Sequence, residues 1–251
     1  MLSEERKGEI LRIVNTNKSV TVQELRSILN VSESTIRRDI TLLSREGRLV
    51  KVFGGAVALD NPPNAVELSV LAKETMNRDE KRAIAEYAAS LIVPDDYVYI
   101  DSGTTTEMMI EFIREKNATY VTNAVSHAKG LVRRGLKVLL IGGELKENTE
   151  AIVGADAILH IQKYHFSKGF FGTNGVNMKL GFTTPDVREA LIKRVAIQNT
   201  QPGSRFILAD HDKFGQSSAV TFSDFGGTVT ITDKYPGEIY SKAMELKIIT
   251  K

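Results

Sequence analysis

The sequence predicts an α/β protein in two unequal parts, an N-terminal winged helix-turn-helix followed by a larger Rossmann-like α/β domain. Three observations carry that expectation. A chain of 251 residues exceeds one small domain. Residues 1–57 read as three helices closed by a glycine-turned hairpin. From Asp79 onward short apolar runs alternate with helical segments, the pattern of a parallel sheet covered on both faces.

Composition narrows the function classes. No cysteine is present, which excludes a disulfide scaffold and a thiolate-built metal site. No uninterrupted apolar run approaches the roughly 18 residues of a membrane span, and the opening MLSEERKGEIL has no apolar signal core, so a cytoplasmic protein without a membrane partner is expected. Residues 1–57 carry ten Lys/Arg against seven Asp/Glu, a net +3, which leaves −1 for the rest of a chain whose formal charge is +2. All of the excess positive charge lies in the first fifth, where a polyanion is the expected partner.

The elements follow in order. Ser3, ahead of Glu4 and Glu5, reads as the oxygen cap of a first helix whose buried stripe is Ile10, Leu11, Ile13 and Val14. A second helix is expected from Val20–Thr21, with Val22, Leu25, Ile28 and Leu29 inward. After Asn30-Val31, Ser32 caps a third helix that Gly47 ends. In it Ile36, Ile40 and Leu43 face the core, so Ser34, Arg38, Thr41 and Arg45 point away, flanked by Thr35 and Arg37, with Asp39 as the single nearby acid. Short hydroxyls and guanidiniums at the start of such a helix suit base edges in a major groove. Leu49–Val52, the Gly54-Gly55 turn and Ala56–Ala58 form a hairpin that places Arg48 and Lys51 toward phosphates. The candidate DNA contacts are therefore Ser32, Ser34, Thr35, Arg37, Arg38, Thr41, Arg48 and Lys51.

Leu59–Asn64, with Pro62-Pro63, marks a boundary, and residues 66–77 look helical. The expected division is a DNA-binding domain over 1–57, a linker and connecting helix over 58–74, and an effector domain over 75–251. Strands are expected at Tyr97–Ile100, Tyr120–Thr122, Val138–Ile141, Gly169–Phe171, Phe206–Ala209 and Val229–Thr232, with helices such as Glu80–Leu91 and Thr106–Glu115 between them. Ligands in open sheets of this kind sit beyond the carboxyl ends of the strands. The first such end runs into Asp101-Ser102-Gly103-Thr104-Thr105-Thr106 and then a helix, offering backbone N–H groups and hydroxyls to an anion. It is neither GxxxxGK[ST] nor GxGxxG, and a phosphate monoester fits it better than ATP or NAD. Thr122-Asn123, Gly142-Gly143, Gly172–Gly175 and Asp210–Gly215 follow other strands. In GFTTPDVREALIKR, Thr184 reads as a helix cap, Pro185 as the first helical position and Val187, Leu191 and Val195 as the buried stripe, with Lys193 on the opposite, solvated side.

The run VSESTIRRDITLLSREGRLVKVFGGA resembles the winged helix-turn-helix of the DeoR-type family of bacterial transcription regulators, whose pattern is VSxxTIRRDixxLxxxGxLxxxxGGA. DSGTTT, TNA, IGGEL, GFTTPDVREALIKR and ADHDKFG resemble that family's sugar-phosphate-sensing domain, which is related in fold to ribose-5-phosphate isomerase. The resemblance implies a phosphorylated sugar with its phosphate on Gly103–Thr106 and further contacts from Asp101, Ser102, Asn123, Gly143, Asp186, Lys193 and Lys213. Gly172–Asn177, GTNGVN, departs from the family's pattern at the sugar ring.

No catalytic set emerges. His127, His160, His165 and His211 lack HExxH spacing, and no GxSxG elbow occurs, so neither a metal site nor a cofactor is expected. An isomerase remains the alternative, with Asp101, Asp186 or Asp210 as base and Lys193 or Lys213 stabilising an enediolate. The attached DNA reader favours a regulator instead, a repressor of a sugar operon that works on double-stranded operator DNA as a homodimer or homotetramer.

Overall fold

The computed structural model describes residues 2–52, 54–58, 73 and 75–249. The linker and connecting helix expected over 58–74 lie almost wholly outside the described residues. Among the described residues no helix is long and apolar enough to cross a membrane.

The N-terminal unit holds α1 (Ser3–Asn17), β1 (Ser19–Thr21), α2 (Val22–Leu29), α3 (Glu33–Arg45), β2 (Val50–Val52) and β3 (Gly55–Val57). Its core is Ile10, Ile13, Val14, Leu25, Ile36, Ile40, Leu43 and Leu49. Both strand neighbours of β3 are antiparallel, in the order β1-β3-β2. A side chain at Gly55 would stand 2.2 Å from the Val20 carbonyl oxygen, so the β1–β3 approach requires glycine there.

Several expectations change in this unit. Val20–Thr21 does not open the second helix; it belongs to β1, and Thr21 caps α2 in a capping box with Glu24, each satisfying the other's backbone N–H at 2.7 and 3.1 Å. Ser3 is the first helical residue and no cap; the Leu2 N–H is taken by Glu5 at 3.0 Å. Ile28 is 56% exposed, because Val22, Leu25 and Leu29 alone turn inward on so short a helix. Asp39 is buried rather than on the exposed face, and Arg6 of α1 binds it through Nε at 2.6 Å, pinning α1 to α3.

The larger unit contains α4 (Arg78–Ser90), β4 (Tyr97–Ile100), α5 (Thr104–Ile110), β5 (Thr119–Thr122), α6 (Val125–Arg133), β6 (Lys137–Leu140), β7 (Glu144–Leu145), β8 (Ile152–Val153) and α7 (Ala155–Ile161). It continues with β9 (Lys168–Gly172), β10 (Gly175–Asn177), β11 (Gly181–Thr184), α8 (Val187–Gln198), β12 (Arg205–Leu208), β13 (Val220–Ser223), β14 (Thr228–Thr232), α9 (Glu238–Ala243) and β15 (Glu245–Ile248). Among the described residues seven parallel strands form the main sheet, in the order β15-β14-β12-β9-β4-β5-β6. Alternate residues feed opposite layers: Val98, Ile100 and Phe170 pack with α4, while Tyr99 and Phe171 pack on the other face with Ile192 and Ala196 of α8.

The six expected strands are present; β15, the β7-β8 hairpin and the small antiparallel sheet β10-β11-β13 are additions. α5 stops at Ile110 rather than Glu115. The strand order reverses at β4, with β5 and β6 on one side and β9 and the remaining strands on the other. In a doubly wound sheet that switch point opens a crevice between the two strand ends. Here the ends are Asp101 and Gly172.

Candidate functional site

A cavity of about 300 Å³ lies at this switch point, at the small end of the range for ligand sites. Ser102, Gly103, Thr104 and Thr105 line one wall, with Lys81 beneath them and Lys73, His127, Thr173, Asn174, Glu189, Lys193 and Lys213 around them. Gly103 has φ +153°, a conformation that L side chains rarely adopt, and the helix begins directly after it. The buried Lys81 ammonium donates to the Thr104 hydroxyl at 3.3 Å and to the Lys73 carbonyl.

Lys193 is 3% exposed, not solvated. Val187 and Leu191, expected to form the buried stripe of α8, are 56% and 39% exposed; the inward face is Glu189, Ala190, Ile192, Lys193, Ala196 and Ile197. One side of α8 thus packs on the sheet while its first turns present charge to the cavity. Thr184 is not the cap: Asp186 holds that position, accepting from the Arg188 and Glu189 N–H groups at 2.7 and 3.3 Å, and Pro185 precedes the helix. The Lys193 ammonium pairs with Asp101 Oδ2 and donates to the Gly172 carbonyl at 3.1 Å. Asp101 Oδ2 also accepts the Gly172 N–H at 3.0 Å, while Oδ1 is buried with no hydrogen-bond partner. Burial pushes the Asp101 carboxyl up, against the pull of Lys193 and the Gly172 N–H.

The remaining expected ligand contacts divide. Asp101, Thr106 and Asn123 stand behind the cavity wall and hold its shape. The Thr106 hydroxyl donates to the Asp101 carbonyl at 2.6 Å, and Asn123 Oδ1 accepts from Tyr99 Oη at 3.0 Å and Ser102 N at 3.2 Å. Gly143 and Asp186 do not line the cavity. A Cβ on Gly143 would meet the Val153 carbonyl oxygen at 2.7 Å, so its glycine lets the β7–β8 hairpin close. Asp186 pairs with Lys146 at 3.0 Å, and Lys146 passes the contact to Glu189 at 2.9 Å, which Thr149 also reaches at 2.8 Å. Burial alone would push Glu189 up, but Lys193 and Lys146 hold it below the usual carboxylate range, so it meets the cavity ionised.

His127 was not among the expected residues. It is buried between the Thr106 hydroxyl at 3.2 Å and the Ser126 hydroxyl at 3.1 Å, and burial lowers its pKa to about 4, so it is neutral at pH 7. Its folded pKa lies below the unfolded value, so stability falls as pH drops from 6.5 toward 4, when the unfolded chain alone takes up the proton. The loss should reach about 3 kcal/mol. Urea denaturation of wild type and His127→Gln between pH 7 and 4 checks this; parallel curves for the two proteins would refute it.

On the N-terminal unit, Ser34, Arg37, Arg38 and Arg45 are exposed, and Thr35 and Thr41 half-buried. Ser32 Oγ accepts from the Thr35 N–H and bonds the Ser34 and Thr35 hydroxyls at 2.9 and 2.8 Å, a polar cluster at the start of α3. Arg37 pairs with Glu33 at 2.6 Å and Arg48 with Glu46 at 3.5 Å, whereas Lys51 reaches across from β2 to the Thr41 hydroxyl at 2.9 Å. Arg38 makes no ion pair with any described residue.

A helix-turn-helix with its wing, followed by an α/β unit with a polar cavity at the sheet's switch point, is the architecture of a DNA-binding transcription regulator. Family models agree in both halves: the DeoR-like helix-turn-helix domain matches residues 6–61 and the DeoR C terminal sensor domain residues 76–234. The chain belongs to the DeoR family. It is similar to the uncharacterized HTH-type transcriptional regulator FruR of Bacillus subtilis, 42% identical over 233 residues that cover 92% of this chain and 91% of that protein. It is also similar to the lactose phosphotransferase system repressor of Staphylococcus aureus, 34% identical with 95% and 94% covered. Among solved structures, ribose 5 phosphate isomerase A from Neisseria gonorrhoeae aligns over 53% of this chain and 52% of its own, at 17% identity and a TM-score of 0.39. The full-length sorbitol operon regulator SorC from Klebsiella pneumoniae aligns over 82% and 89%, at 9% identity and a TM-score of 0.34.

Proposed function

We propose that the chain is a repressor of an operon for sugar uptake or breakdown, and that a phosphorylated sugar bound in the switch-point cavity sets its grip on operator DNA. The observation that carries this reading is the cavity itself, where two buried lysines, Lys81 and Lys193, flank a wall of Ser102, Gly103, Thr104 and Thr105. Backbone N–H groups, hydroxyls and ammonium groups together suit a phosphate dianion. Asn174 and the ionised Glu189 offer a donor and an acceptor to sugar hydroxyls. The relatives named as a lactose phosphotransferase system repressor and a putative aga operon transcriptional repressor support the sugar-operon role.

The division 1–57, 58–74 and 75–251 assigns reading to the first part and sensing to the last, in the cytoplasm where the operator is. Two copies, as a homodimer or homotetramer, would read half-sites about one helical turn apart. A binding role suits the carboxylates better than isomerisation does. Asp101 is committed to Lys193, Asp186 caps α8, Asp210 accepts from Asn77 at 3.0 Å, and Glu189 is too weak a base when held below its usual range.

Thr105→Glu tests the reading. A carboxylate about 4 Å from the phosphate repels it by about 4 kcal/mol at an effective dielectric of 20, about a thousandfold in Kd. Calorimetry with pentose and hexose monophosphates should show that loss, while anisotropy on the DNA upstream of its own operon stays unchanged. Turnover of those sugars by the wild-type protein would overturn the assignment in favour of an isomerase.

A further inference from the structure

We propose that the Asp210–Gly215 loop is the link between the cavity and the DNA-reading unit, carrying a displacement at Lys213 directly into the wing. The proposal rests on the sensor reading above and names how that site is coupled. One end of the loop faces the cavity through Lys213, whose one near acid among the described residues, Asp210, stands 3.9 Å away, beyond hydrogen-bond reach. Two residues further on, Gly215 lies under the hairpin: at φ +80° it brings its backbone so close that a Cβ would meet Val57 at 3.1 Å and Val52 at 3.2 Å. Two residues of chain span at most about 7 Å, so there is little slack between the two ends.

The loop is also clamped along its length. The Asp210 carboxylate accepts from Asp212 N at 3.1 Å, and Asn77, in the chain arriving from the first unit, donates to Asp210 and to Asp212 at 3.0 and 2.7 Å. Phe214 packs edge-on against Tyr240 of α9, their centroids 5.0 Å apart, and Tyr240 Oη accepts the Gly215 N–H at 2.8 Å. The same helix begins with Glu238, which pairs with Arg45 at the end of α3 at 3.2 Å. From the other side, Val50 of the wing is 3% exposed and belongs to the core cluster of the larger unit, not to the winged-helix core. The wing and the recognition helix are therefore both seated on α9 and the loop. A packed contact of this kind moves as a body rather than yielding locally.

The test is a double-mutant cycle on the full-length protein. Lys213→Met perturbs the cavity end, Val52→Asp undocks the wing, and Val52→Ala serves as the milder second variant should the charge disturb the hairpin. DNA affinity is read by anisotropy at fixed salt, and hydrogen exchange follows the amides of 50–57. Lys213→Met should change the DNA Kd by about threefold or more in the wild-type background and leave it nearly unchanged in either Val52 variant, because groups sharing one backbone shift are non-additive. Equal effects of Lys213→Met in both backgrounds, with no change in wing exchange, would overturn the link. Glucose 6-phosphate, fructose 6-phosphate, fructose 1-phosphate and ribose 5-phosphate form a separate arm. A sugar that shifts the wild-type DNA Kd should still bind Val52→Asp without shifting its Kd. Failure of every sugar to bind would remove the sensor reading, while the cycle would still decide the link.

Discussion

Replacing Lys193 with methionine is expected to cost about 3–5 kcal/mol of stability, the price of leaving one partner of a buried ion pair unmatched. For a chain of this size that is a fall in Tm of about 10 °C. The reason lies in Asp101, 1% exposed, whose Oδ1 already has no partner and whose Oδ2 would keep only the Gly172 N–H. Methionine fills nearly the same volume, so the loss reports charge rather than a cavity. The double variant Asp101→Asn/Lys193→Met removes both charges and should recover most of the stability, as neutral replacement of buried pairs commonly does. Recovery of the fold should not bring back full sugar-phosphate binding, because one of the two lysines flanking the phosphate wall is still missing. Urea denaturation and calorimetry on the three proteins separate the two roles. A single Lys193→Met variant within about 1 kcal/mol of wild type, the scale of an exposed pair, would mean that the Asp101 contact is not a buried ion pair in solution.

Much of this architecture was legible because local and tertiary signals agree. Ser32 caps α3, Ile36, Ile40 and Leu43 fill its core face, and the apolar runs from Tyr97 to Thr232 become sheet strands. What was not legible has a common cause. On α8 the inward face carries Glu189 and Lys193, so a reading that counts apolar spacing turns the helix around and places Val187 and Leu191 inside. The same blindness hides Asp39, buried by Arg6, and His127, a lone histidine whose partners Thr106 and Ser126 share no spacing with it that marks a site. β15 escaped because it is an edge strand whose Glu245 and Lys247 face outward. In the cavity the phosphate wall at 102–105 could be read from its hydroxyls, whereas Lys81 could not, since it comes from a helical segment, Glu80–Leu91, that carries no motif marking a site.

Arg38→Ala should weaken operator binding by about 1–3 kcal/mol per half-site, the discrimination a forked arginine contributes on a guanine, or between about fivefold and 150-fold in Kd. The structure singles it out from its neighbours. Arg37 is held by Glu33, Arg45 by Glu238, Arg48 by Glu46, and Lys51 by the Thr41 hydroxyl, so each exchanges an existing contact for DNA. Arg38, exposed on α3 and without an ion-pair partner among the described residues, has no such contact to give up, and its net gain on binding is correspondingly larger. Arg38→Lys keeps the charge but loses the planar fork; a base-reading role requires it to fail nearly as badly as alanine on operator DNA while holding its affinity for random DNA. Arg48→Ala and Lys51→Ala should behave differently, lowering the slope of log K against log salt by about 0.9 for each phosphate contact removed and weakening all sequences alike. Anisotropy titrations across salt on operator and scrambled duplexes distinguish these outcomes. An Arg38→Ala loss that is equal on both duplexes and is accompanied by a reduced salt slope would make Arg38 a phosphate contact and move sequence reading to Ser34 and Thr35, at the first turn of α3.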